Sequence, residues 1–390
     1  MPPTPPDITI EVFGKTDVGL IREHNEDNFL IADVTGGVRT AEPRDPFTFK
    51  LGEKGAALLV CDGMGGAAAG EVASQMAVDS IYEELALSEP QQRDAFARLL
   101  RRAVQQANEK IFIQSRDNQS ERGMGTTCSV VALVDETLVV AQIGDSRCYI
   151  LRDGKLAQVT KDQSLAWQLI EAGAMTPEEA KAFEHANIIL QALGVQERVE
   201  VVLSQVHLRR GDIALLCSDG LHGPVADEEI LAVLIAEPNL RKAGEALIQK
   251  ALDRDGPDNI TVVLARFDGE GLQPPSPEDV VSFVGYDPGG DPVPETLSAT
   301  DSASLARETV EERLPRDMLT SDDIPTKAEP DEPEPTAANR PRPGPRQGND
   351  KPRSTRSLLA LFMLALVAAA TGGIFMLKCE HEPSTKVTLP

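Results

Sequence analysis

At 390 residues the chain is too long for one average domain, and a formal net charge of −24 makes it strongly acidic. That balance argues against a nucleic-acid partner, because binding a phosphate backbone needs a basic stripe, and the clearest Lys/Arg cluster lies in a proline-rich stretch near the C-terminus. Cys61, Cys128, Cys148, Cys217 and Cys379 show no CxxC spacing and mostly sit in apolar runs, which reads as buried thiols in a reduced, cytoplasmic globular part.

The opening MPPTPPDITI lacks the basic-then-apolar pattern of a cleaved signal. From about residue 7 to 268 the composition is globular. GLIREHNEDNF brings Arg22, Glu26 and Asp27 ahead of AALLVCD, a predicted strand over 56–62. Two helices are predicted next, over 70–86 and 91–113, where apolar residues recur at three- and four-residue spacing. TTCSVVALV, TLVVAQIGDS, VEVVLSQVHL, DIALLCSDG and NITVVLARF supply further strands. CYILRDGKL sets Asp153-Gly154 between apolar flanks, the strongest short-range hairpin signal. Strands with few polar positions, beside helices that bury one face, predict layered sheets sandwiched between helices.

Residues 269–356 mix prolines, acids, Ser and Thr with few aromatics. Such a composition buries too little apolar surface to offset its ordering entropy and predicts a disordered linker, spanning on the order of 50 Å as a flexible coil. Residues 358–377 are uncharged and mostly apolar, long enough to cross a bilayer core as one helix. Arg340, Arg342, Arg346, Lys351, Arg353 and Arg356 precede that span, against Lys378 and Lys386 after it. The positive-inside rule therefore predicts a single-pass membrane protein with its globular part in the cytoplasm. Residues 378–390 are then expected to form a short extracytoplasmic tail.

The chemistry lies at strand ends. LLVCDG delivers Asp62, ALLCSDG delivers Asp219, VVAQIGDS ends at Asp145, and GPDNITVV begins with Asp258 and Asn259. One Asp-Gly alone reads as a turn. Several carboxylates converging at buried strand ends would repel one another unless cations neutralised them. The donors are oxygens and no His or Cys has metal-ligand spacing, so Mg²⁺ or Mn²⁺ fits and zinc does not. Arg22 beside such a site could hold two oxygens of a phosphoryl group with its planar fork.

The ordered set REHNEDN, VCDGMGG, GTTCSV, IGDSRCYILRDGKLAQVTKDQSL, ALLCSDGL and GPDNITVV resembles the metal-dependent, type-2C serine/threonine protein phosphatases in their bacterial form, over about residues 10–266. The resemblance implies an α+β fold, a four-layer α-β-β-α sandwich of two antiparallel sheets flanked by helices. It implies that Asp62 bridges two Mn²⁺ or Mg²⁺ ions, that the Gly63 carbonyl completes one shell, and that Asp219 and Asp258 hold the other ion. Glu26 and Asp27 would act mainly through metal-bound waters, Arg22 would bind the substrate phosphate, and Asp145 with Asp219 matches a third-metal position. The implied reaction is direct attack of an activated water on phosphoserine or phosphothreonine in protein substrates, without a phosphoenzyme. Receptor-like Ser/Thr kinases are candidate substrates, and the catalytic domain is expected to be monomeric.

Three features depart from the family pattern. Met64 stands where some relatives carry a histidine proposed as general acid, and Gly223 where many carry an acidic or amide residue, which weakens the third-metal expectation. The segment 173–194 resembles the mobile flap but lacks arginines often found before Asn187 and at Gln191, leaving His185 as a basic residue that could reach a phosphoprotein. The alternatives are an inactive phosphoprotein-binding regulatory module and a membrane-tethered interaction protein; an intact Asp62, Asp219 and Asp258 set argues against both.

Overall fold

A computed structural model describes residues 7–289 apart from 42, 44, 66–68, 177, 178, 181, 182, 184–187 and 277. In chain order the elements are β1 (Thr9–Asp17), β2 (Asp27–Asp33), β3 (Val38–Thr40), β4 (Phe47–Lys50), β5 (Ala56–Met64), α1 (Ala69–Leu87) and α2 (Arg93–Asp117). There follow β6 (Gly125–Thr126), β7 (Cys128–Val134), β8 (Thr137–Ile143), β9 (Arg147–Arg152), β10 (Lys155–Gln158) and α3 (Leu165–Glu171). The last are β11 (Val202–His207), β12 (Ile213–Cys217), α4 (Asp219–His222), α5 (Asp227–Ala236), α6 (Leu240–Leu252) and β13 (Ile260–Asp268).

Two antiparallel sheets result, one ordered β10-β9-β12-β13-β1-β4 and the other β11-β8-β7-β5-β2-β3, with β6 beside the end of β5. The uninterrupted apolar runs follow from burial on both faces. In β5, Leu58 and Val60 enter the core between the sheets, while Ala57, Leu59 and Cys61 join the cluster built on α1 and α2. In β13, Val263, Ala265 and Phe267 face the other sheet, while Val262 and Leu264 pack with α5 and α6. The expected α-β-β-α layering is thus observed. The Asp153-Gly154 hairpin also forms: Arg152 pairs with Lys155, and φ of 47° and 71° at the two turn residues matches a type I′ turn. Cys61, Cys128, Cys148 and Cys217 are free and buried, as expected.

Two readings are corrected. Strand β5 does not stop at Asp62 but runs to Met64, because β6 offers partners there, Thr126 opposite Gly63 and Gly125 opposite Met64. The fold also continues past 268. Leu272 is 1% and Tyr286 7% exposed, and Val281 packs on the inter-sheet core. Tyr286 N–H donates to the Leu203 carbonyl at 2.9 Å and Gln205 N–H to the Val284 carbonyl at 3.2 Å, both on β11, the edge strand. Arg209 makes a forked pair with Asp279 at 2.8 and 2.9 Å. The average composition of 269–356 concealed these few spaced anchors, which suffice to dock residues 269–289. The remaining linker, the apolar span 358–377, the tail 378–390 and Cys379 lie outside the described residues. Among the described residues no helix is long and apolar enough to cross a membrane.

Candidate metal centre

Strand parity decides where the acids point. The inward set Leu58 and Val60 of β5 extends to Asp62, and Phe29 and Ile31 of β2 extend back to Asp27. Asp27 and Asp62 are direct antiparallel partners, so their carboxylates share one end of the inter-sheet layer. The opposite sheet answers at the same level. Ser218, just beyond β12, donates its hydroxyl to Asp27 Oδ2 at 2.7 Å, and Thr261 of β13 donates to the same oxygen at 2.6 Å. Asp27 therefore ties the sheets together through one carboxylate oxygen.

The remaining acids arrive from loops and one short helix. Asp219 opens α4, and its charge is among those that act on Asp62. Asp145 follows Gly144, whose φ of 90° turns the chain out of β8. Asp145 is buried, and its carbonyl accepts from His222 Nε2 at 3.0 Å. Asp258 precedes β13, and Arg22 Nη2 donates to its Oδ2 at 2.7 Å. Gly63 is squeezed between chain segments, since a Cβ there would stand 2.2 Å from the Gly70 carbonyl oxygen and 2.5 Å from that of Glu26. Only glycine permits that approach of α1 to the strand.

The electrostatics record the crowding. Burial, then the charges of Asp27, Asp219, Asp145 and Asp258, push the Asp62 carboxyl well above the ordinary range. Burial lifts Asp27 to about 7 against the opposing hydroxyl bonds. Burial and Asp219 lift Asp145 to about 8, and burial and Asp258 lift Asp219 to about 6. Glu26 is raised by burial, with Arg22 opposing. Arg22, Glu26, Asp27, Asp62, Gly63, Asp145, Asp219 and Asp258 thus lie at one end of the sandwich. Among the described residues no three His, Cys, Asp or Glu side chains close on a common point as a finished ligand set. The donors nevertheless fit hard cations. Asp27 Oδ1, Asp145 Oδ1 and Asp219 Oδ1 are buried and receive no hydrogen bond, so each has an acceptor site free for a cation.

Sequence reasoning named Asn259 beside Asp258 but not its role, and it missed the rest of the scaffold beneath these acids. Asn259 accepts from Glu26 N–H at 2.8 Å and donates to the carbonyls of Val18 at 2.9 Å and His24 at 3.0 Å, fixing the loop that carries Arg22. Thr127 Oγ1 accepts from Asp62 N–H at 2.9 Å, and Ser74 Oγ donates to the Glu26 carbonyl at 2.6 Å. Adjacency was the available signal for Asn259 and Ser218, each one residue from a candidate ligand; Thr127 and Ser74 gave none. His185 and Asn187 lie outside the described residues.

A family model described as protein phosphatase 2C matches residues 39–254. The serine/threonine phosphatase stp of Listeria monocytogenes is 36% identical over 258 residues, 65% of this chain and 94% of that protein. The serine/threonine protein phosphatase PstP of Mycobacterium tuberculosis is 35% identical over 311 residues, 79% of this chain and 54% of that protein. Among solved structures, the catalytic domain of PstP in complex with two manganese ions aligns with a TM-score of 0.56 at 36% identity, covering 67% of this chain and 99% of that one.

Proposed function

Because the chain belongs to the protein phosphatase 2C family, we propose that it hydrolyses phosphoserine and phosphothreonine in proteins, using two Mn²⁺ or Mg²⁺ ions. The observation that carries this reading is the cross-strand pair Asp27 and Asp62, crowded by Asp145 and Asp219 with buried carboxylate oxygens left open. Asp62, the Gly63 carbonyl, Asp219 and Asp258 would hold the ions, with Glu26 and Asp27 acting from the periphery. Asp145 with Asp219 marks a third position. When bound, such ions supply charge neutralisation and water activation for in-line displacement at phosphorus.

The chain's own residues do the rest. Arg22 is exposed and spends one Nη on Asp258, which leaves other N–H groups of its fork for phosphate oxygens. Among the described residues, neither Cys61 nor Ser218 is offered as a covalent nucleophile. The Cys61 thiol is buried and pushed well above its ordinary range, chiefly by its contact with Cys128, and the Ser218 hydroxyl is committed to Asp27. In direct displacement the oxygen of a water forms the new P–O bond as the P–O ester bond breaks, without a phosphoenzyme; Met64 has no proton to give, so the departing alkoxide takes the proton that the attacking water releases. The test is hydrolysis of a phosphothreonine peptide by the full-length chain. Turnover should require Mn²⁺ or Mg²⁺ and stop on chelation. Activity that survives Asp62→Asn combined with Asp219→Asn would sink the ligand assignment.

The apolar segment 358–377 and its positively charged N-terminal flank support single-pass anchoring with the phosphatase in the cytoplasm. Tethering raises the local concentration of enzyme near membrane-bound phosphoproteins, and receptor-like Ser/Thr kinases are the substrates we favour. Membrane fractionation with protease accessibility in intact cells tests the topology, and a soluble or externally cleaved catalytic segment contradicts it.

A further inference from the structure

Nowhere else among the described residues do strongly exposed large apolar side chains stand consecutively as they do at Leu20 and Ile21, which are 65% and 68% exposed. Single exposed apolar residues need no explanation, but adjacent ones on a stiff support do. This loop is stiff. Gly19 N–H donates to Asp17 Oδ1 at 2.9 Å, Leu20 N–H to the Gly256 carbonyl at 2.8 Å, and Asn259 holds the carbonyls of Val18 and His24. Gly19, at φ 77°, lies so close to the β13 side that a Cβ would stand 2.2 Å from the Asp258 carbonyl oxygen. The backbone is therefore fixed while the Leu20 and Ile21 side chains are left in water.

We propose that Leu20 and Ile21 form the contact surface for an apolar side chain flanking the phosphorylated residue of a protein substrate. This rests on the phosphatase reading. The occupant follows from continuity with the site, since Arg22 is the next residue and its guanidinium is tied to Asp258 beside the carboxylate cluster. A phosphate engaged by Arg22 places the neighbouring peptide residues within reach of the two side chains that precede it. The acidic cluster next to this loop disfavours acidic flanks, so an apolar flank is the partner that gains contact without repulsion. A preformed backbone also avoids ordering costs on binding, which favours recognition by so small a surface.

The experiment compares two phosphothreonine peptides that differ only in carrying Leu or Ser on both sides of the phosphorylated residue, assayed with the full-length chain in Mn²⁺. The wild-type protein should turn over the Leu peptide with a kcat/KM about tenfold higher, in the range expected for one apolar contact. In the Leu20→Ser/Ile21→Ser double variant that ratio should fall to about two or less, with the change in KM. Because each ratio is internal to one enzyme form, a general loss of activity cancels. Equal kcat/KM for both peptides in the wild type overturns the proposal without recourse to any variant, as does a ratio that survives the double substitution. A dimer of the wild type that the double variant loses, with an unchanged peptide ratio, assigns the surface to a second copy and also overturns it. Failure of the wild type to hydrolyse a small aryl phosphate in Mn²⁺ strikes instead at the phosphatase reading beneath.

Discussion

Asp27 and Asp62 stand directly opposite one another across β2 and β5, two carboxylates on the face between the sheets. Directly opposed like charges destabilise a strand pair, and their Cβ atoms sit roughly 5 Å apart in such a register. Three further acids add to the repulsion at Asp62. In metal-free protein the Asp62→Asn variant should therefore be more stable than wild type, by about 1 kcal/mol. Catalysis should be lost, and the rise in Tm produced by Mn²⁺ should shrink sharply. Thermal melts of both proteins in chelator and in Mn²⁺ read all of this; a variant less stable than wild type in chelator contradicts the repulsion argument.

The pH dependence follows from the same crowding. Asp27, Asp145 and Asp219 are lifted to about 7, about 8 and about 6 from an ordinary 3.8. Between the ordinary value and the raised ones the folded protein binds more protons than the unfolded chain. Their contribution is thus fully present below about pH 4 and is lost as pH rises through the folded values. Metal-free Tm should fall from pH 5 to pH 8. Divalent cations displace those protons, so the Tm gain from Mn²⁺ should grow over the same interval. A metal-free Tm that rises across the interval would count against raised carboxyls.

The acids were legible in the sequence because each sits beside a glycine, asparagine or another acid at the edge of a long apolar run, as Asp219 does in ALLCSDG. The layering was legible too, since doubly buried strands such as TTCSVVALV carry almost no polar positions. The pairing of Asp27 with Asp62 was not. It depends on register between strands 35 positions apart, and no local pattern encodes which carboxylates share a face. Asn259 was visible beside Asp258, but its role was not, and Ser218 and Thr261 were hidden, because a hydroxyl or amide declares its function only through the partner it meets.

Asn259 provides a test of that hidden scaffold. Its side chain holds Glu26 N–H and the carbonyls of Val18 and His24, bracketing Arg22 from both sides. Asn259→Ala leaves one part-buried donor and two part-buried acceptors without their partner, which costs about 1 kcal/mol in stability. Misplacement of Arg22 and Glu26 should lower kcat/KM for a phosphopeptide by about 100-fold. Asn259→Asp restores the acceptor for Glu26 N–H but not the donor for the two carbonyls, so it should recover only part of the loss. An alanine variant with wild-type kcat/KM shows that the loop holds its geometry without this residue.

The folded boundary can be located by comparing chains ending at residue 268 and at residue 289. Ending at 268 removes Leu272 and Tyr286 from buried positions, deletes the Arg209–Asp279 pair and uncovers β11, an edge strand whose backbone is otherwise bonded by residues 284–286. Burial of two such side chains stabilises by about 3 kcal/mol after allowance for ordering the segment. For a domain of this size that corresponds to a Tm lower by roughly 6–12 °C in the shorter chain. The uncovered edge should also pair with other molecules, so the shorter chain should aggregate at lower concentration. Calorimetry and light scattering on the two truncations decide the matter. Coincident melting curves would place the end of the cooperative unit at 268, with the following residues only draped over its surface.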